Sequence, residues 1–220
     1  MSQPNKTKIP ATRPIPLISL PFAKGLVDLL GYVIDISELT EAQKATEDFA
    51  NTYAGMMNLY KQSGFIAALC AHEAAHLTFY ERIGRVPFEI VRPKIHYNDS
   101  LSRFEGLMAG VKPQLPDCEP GKWQEWVLAT ALGFAAGGVV GRRLFPNADG
   151  GDSEDKRLFI QLCADLVKRF GGISINAEEA WAWAQHEVSR QLDSNPKLME
   201  LIQKRAEELK ALFGFTRLEE

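Results

Sequence analysis

Apolar positions recur at helical spacing over most of the chain. Ala45, Phe49, Tyr53, Met56, Met57 and Tyr60 share one face of a helix. Thr40-Glu41-Ala42-Gln43 supplies a capping box at its start, so a helix is predicted from Thr40 to about Gln62. The next run, Phe65 to Thr78, is apolar on every side and predicts a buried helix from about Gly64 to Ile83, ended by Gly84.

The pattern then alternates. Phe88 to Tyr97 reads as β structure, with Pro93 making it an edge strand or two short strands, and Phe104 to Val111 is the candidate partner. Helical spacing returns in Lys122 to Leu144, in Ser153 to Phe170, after the cap Asn176, and after Asn195-Pro196. Pro4, Pro10, Pro14 and Pro16 mark residues 1–20 as an extended or disordered arm, and Leu26 to Ile36 is a short apolar run of either helix or strand. The expected fold is mainly α (α+β): one mainly helical domain over residues 21–220 with a small β element near residues 86–112.

Composition narrows the partners. The chain is 45% hydrophobic and 24% charged with a formal net charge of −3, so no basic excess points to nucleic acid or to a membrane surface. Trp126 to Gly141 is uncharged but shorter than the ~20 residues a spanning helix needs, and glycines interrupt it. No membrane anchor and no signal peptide are expected. Cys70, Cys118 and Cys163 are odd in number and widely spaced. Cys70 and Cys163 fall in apolar helical patterns and are expected as buried thiols, and a cytoplasmic location is the expectation.

The buried helix carries the candidate chemistry. From Phe65 to Thr78 its only ionisable groups besides Cys70 are those of His72-Glu73-Ala74-Ala75-His76, an H-E-x-x-H pattern. Histidines at i and i+4 lie on one helix face, so both imidazoles reach one ion. Zinc suits two imidazoles and a third protein ligand with a position left for water. Glu73 is placed to take a proton from that water as general base.

A third ligand must come from elsewhere. The longer H-E-x-x-H-x-x-G-x-x-H pattern fails, because Phe79 and Arg82 stand at its last two positions. Glu105 and His96 are chemically able but lie in the β segment. Asp155 is the best candidate. It falls on the same face as Phe159 and Leu162, one turn before an apolar stripe begins, and a carboxylate turned inward needs a cation or donors. Asp152 or Ser153 is better explained as the cap of that helix.

The order of these pieces resembles the peptidase domain of FtsH-type proteases. His72-Glu73-Ala74-Ala75-His76 is followed by a β segment. Leu132-Gly133-Phe134-Ala135-Ala136-Gly137 comes next, then Gly150-Gly151-Asp152-Ser153-Glu154-Asp155. The match covers roughly residues 60–190. The resemblance implies a helical zincin-like peptidase domain with His72, His76 and Asp155 as zinc ligands and Glu73 as general base. Ala75 stands where the family has glycine, and Gly137-Gly138 where it usually has an acidic pair. No Walker A pattern is present.

These readings predict a zinc-dependent metallopeptidase that acts without ATP on unfolded or short polypeptides. An extended substrate would add to the edge strand around Phe88 to Tyr97. The alternative is a non-catalytic, zinc-stabilised module that binds peptides or proteins. The Ala/Gly-rich run Ala129 to Gly141 marks close helix packing or a homo-oligomer seam.

Overall fold

The computed structural model describes residues 33–84, 86–114, 122–146, 152–171 and 174–215. The proline-bearing arm, most of the apolar run from Leu26, Cys118 and the turn Gly150-Gly151 lie outside the described residues. The chain divides into Met1–Tyr32 and Val33–Glu220, and every element below belongs to the second unit.

The described residues are mainly helical with a small antiparallel β element, as the periodicity predicts. The helix expected from Thr40 divides in two, α1 (Glu41–Lys44) and α2 (Glu47–Tyr60). The Thr40–Gln43 capping box forms, but the Thr46 side chain accepts from the Phe49 N–H and starts a second helix. Two threonine caps six positions apart leave room for a single turn between them.

The motif helix α3 (Phe65–Phe79) starts at Gly64, whose φ of +79° suits glycine. It leaves α geometry at Tyr80 and continues as a π-helical turn, Tyr80–Gly84.

Pro93 splits the β segment, giving β1 (Phe88–Val91) and β2 (Lys94–Asn98). The predicted partner also divides, into β3 (Arg103–Leu107) and β4 (Gly110–Pro113). β2 pairs with β3 as a hairpin, and β1 pairs with β4, so two separate two-stranded sheets result. The first sheet rests on α2, where Phe104 meets Phe49 edge-on at 5.6 Å and its N–H donates to Asp48. β4 lies against α3.

The central element is α4 (Trp123–Leu144), in which every residue from Thr130 to Gly141 is buried. By length and composition it is the one helix among the described residues able to cross a membrane. In this fold it is the core helix, contacted by α3, α5 (Asp152–Phe170) and α6 (Ala177–Ser194). Asn176 caps α6, and Pro196 opens α7 (Pro196–Leu212), as expected. α7 covers the back of α3, and Arg205 pairs there with Glu81.

Candidate metal centre

His72 and His76 stand one turn apart on the face of α3 that meets α4, with ring centroids 4.5 Å apart and ring planes nearly perpendicular. Both are largely covered: their side chains are 14% and 4% exposed. His76 Nδ1 lies 2.7 Å from the carbonyl oxygen of Gly133 on α4. A carbonyl can only accept, so Nδ1 carries the proton and Nε2 is the nitrogen left for a ligand.

Asp155 closes the cluster from α5. Its Oδ2 is 3.0 Å from His72 Nε2 and 3.5 Å from His76 Nε2. The same oxygen is buried without a hydrogen bond of acceptable geometry. Two imidazole nitrogens and a carboxylate oxygen thus converge on one point.

The electrostatics follow from this convergence. Burial alone would raise the Asp155 carboxyl, but His76 and His72 outweigh it and hold it well below the usual carboxylate range. Burial alone would lower His76, but Asp155 and Glu73 outweigh it and push it up to about 9. Carboxylate and imidazole thus favour each other's charged forms.

α4 is shaped to this cluster. A Cβ at Gly137 would stand 2.6 Å from His72 Nε2 and 2.6 Å from His76 Nε2. One residue on, Gly138 receives the Asp152 carboxylate, and a Cβ there would collide with Asp152 Oδ1. At residues 137 and 138 a side chain larger than hydrogen would therefore displace the histidines or Asp152.

Asp152 corrects one expectation. It is the first residue of α5, but its carboxylate does not cap that helix: Oδ1 has no hydrogen-bond partner, and Oδ2 pairs with Arg142 of α4. The reason is tertiary, because Arg142 lies one turn beyond Gly138 on the neighbouring helix.

Glu73 is buried, 7% exposed, and stands beside both histidines without an ion pair to either. One of its carboxylate oxygens lies within 4.8 Å of a ring nitrogen of each histidine. Its Oε2 accepts the Val111 N–H of β4 at 2.7 Å. Burial raises its pKa, and the two histidines and the Val111 bond only partly offset this. A carboxylate with a raised pKa beside two imidazoles is suited to accepting and returning a proton.

The alternative ligands stay in the hairpin. His96 and Glu105 are cross-strand partners 3.7 Å apart, and Glu105 also accepts from Asn98 and Arg103. Cys70 and Cys163 are buried free thiols, and burial pushes them up to about 12 and about 11. Sequence reasoning missed Val111, Gly133 and Tyr80. Gly133 and Gly137 at i and i+4 were the available signal for a helix backbone in close contact with the motif.

No family model, no curated protein and no solved structure matches this chain.

Proposed function

We propose that this chain is a zinc-dependent metallopeptidase acting on unfolded or short polypeptides, with His72, His76 and Asp155 as ligands and Glu73 as general base. The observation that carries the reading is a division of labour. Asp155 Oδ2 meets both histidine Nε2 atoms, whereas Glu73 is tied separately to a strand backbone.

The donor set fits zinc, and Gly137 carries no side chain to press on the two nitrogens, which a Cβ there would meet at 2.6 Å. A bound zinc supplies Lewis acidity and makes a water acidic enough to be deprotonated near neutral pH. The chain's own residues do the rest. Gly133 holds His76 in the tautomer that offers Nε2. Asp155 offsets positive charge in a buried site. Glu73 takes a proton from the attacking water and returns it to the leaving amine.

The strand beside the base is β4 rather than the Phe88 to Tyr97 segment favoured from sequence. Val111 contacts Glu73 directly, and Gly110 lies next to it. An extended polypeptide running alongside β4 would bring its carbonyl to Glu73 and the histidines.

The test is metal content with cleavage. Protein purified without chelator is assayed for zinc and for hydrolysis of casein and a peptide library, before and after chelation. Stoichiometric zinc with chelator-sensitive cleavage is expected. Zinc with no cleavage would favour a zinc-stabilised binding module. Absence of any stoichiometric transition metal would end the reading.

A further inference from the structure

We propose that Tyr80 is a positioning residue for His76, acting through Gly133: its ring sets how α4 seats on α3 and thereby where the carbonyl that fixes the His76 tautomer lies. This rests on the reading of His76 as a metal ligand.

Four observations carry it. His72, His76 and Tyr80 fall at i, i+4 and i+8, so they line one face of the motif helix. Tyr80 is 0% exposed and opens the π-helical turn at which α geometry ends. Its ring lies nearly parallel to that of His76, with centroids 6.2 Å apart and 19° between planes. It also occupies the space that a Cβ at Gly133 would need: Cδ1, Cε1 and Cζ all meet that position.

The geometry makes Tyr80 a spacer. α4 touches the face of α3 at two glycines one turn apart, Gly137 against the histidine rings and Gly133 against Tyr80. The Gly133 carbonyl that receives His76 Nδ1 belongs to the same residue that the Tyr80 ring presses on. A ring that is rigid and fully enclosed holds that backbone at one depth. A smaller or more flexible side chain would let α4 settle and move the carbonyl off the 2.7 Å line to His76. Nδ1 and Nε2 would then compete for the proton, and the ligand nitrogen would be lost from part of the population.

The hydroxyl is not needed for this role. It is buried without a hydrogen-bond partner, so Tyr80→Phe keeps the spacer and removes an unsatisfied group.

The experiment uses the full chain. Histidine tautomers are read by ¹⁵N NMR of the metal-free protein, and zinc affinity by competition with a chromophoric chelator. Wild type and Tyr80→Phe are expected to show His76 with its proton on Nδ1 and equal affinity. Tyr80→Leu should mix the tautomers and weaken zinc binding by about tenfold to a hundredfold, the usual cost of losing an outer partner of a ligand histidine. Gly133→Ala should do the same, and combining it with Tyr80→Leu should recover part of the loss, because the smaller side chain makes room for the Cβ.

If Tyr80→Leu folds and retains both the tautomer and the affinity, the proposal is overturned. If Tyr80→Phe loses them as Tyr80→Leu does, the hydroxyl is responsible and the spacer role is wrong. If Tyr80→Leu and Gly133→Ala both fail to fold, a mixed tautomer in wild type would overturn it, and a single Nδ1–H tautomer kept by folded Tyr80→Phe would support it. Wild type binding no zinc would instead overturn the metal reading, while the tautomer comparison still decides the role of Tyr80.

Discussion

Val111 donates its backbone N–H to Glu73 at 2.7 Å, across 38 positions of sequence. The bond links the motif helix to the small β element and occupies one oxygen of the carboxylate. It accounts for a short strand beside a helical core: β4 holds the proposed base in one orientation. A backbone donor cannot rotate away as a hydroxyl could, so the other oxygen has a defined direction.

Glu73→Gln tests the base. The amide oxygen keeps the Val111 bond, and the buried negative charge is removed. Zinc should stay bound, the melting temperature should hold or rise, and peptide cleavage should fall by about 10² or more. Single-turnover peptide hydrolysis with parallel metal analysis reads both outcomes. Loss of zinc would move Glu73 from base to ligand.

Asp155→Ala and Asp152→Ala separate two carboxylates one turn apart on α5. Asp155→Ala should lose zinc, stability and cleavage together, since metal binding and folding are coupled. Asp152→Ala breaks only a partly exposed pair with Arg142. It should cost about 1 kcal/mol or less and keep zinc. Thermal unfolding and zinc content of the two variants check this, and the reverse pattern would reassign the third ligand.

Gly137→Ala tests the close approach of α4 to the two imidazoles. A Cβ 2.6 Å from both imidazole Nε2 atoms forces the rings or α4 to move. A loss of about 1–3 kcal/mol is expected from overpacking, with a larger fall in zinc affinity than in helical content. Circular dichroism alongside zinc titration measures the two effects. Unchanged affinity in a folded variant would show that the nitrogens do not point into this space.

The ion-paired trio predicts a pH dependence that zinc should abolish. In the metal-free protein the folded state holds the His76 proton more tightly than the unfolded chain does. That contribution is fully present below the ordinary histidine value of 6.5 and is lost as pH rises through about 9. Asp155 works from the acid side. Its depressed carboxyl contributes above the ordinary value of 3.8, and the contribution is lost as pH falls through its lower folded value. Melting temperatures of metal-free protein should therefore decline from about pH 6 to about pH 10, and less so for His76→Ala. With zinc in place of the proton, the decline should disappear.

The sequence alone determined the order and type of most elements and which candidate side chains share a helix face. Phe65 to Thr78 could only be buried, being apolar on every face except for one His-Glu-His cluster, and i, i+4 spacing put both histidines together without tertiary information. Asp155 was legible for a related reason: helical phase turned it inward with Phe159. Pro93 marked the break between β1 and β2 because it has no N–H to donate.

Other features needed the folded chain, because they are contacts between segments whose separation no local pattern encodes. The Glu73–Val111 bond spans 38 positions, and the His76–Gly133 bond spans 57. Asp152 has the chemistry of a cap, and only the arrival of Arg142 and Gly138 from α4 turned it into a cross-helix ion pair. Gly133 and Gly137 could be read from sequence as small residues. That one faces Tyr80 and the other two imidazoles was decided by how α4 docks on α3, since a glycine carries no side chain to announce its neighbour.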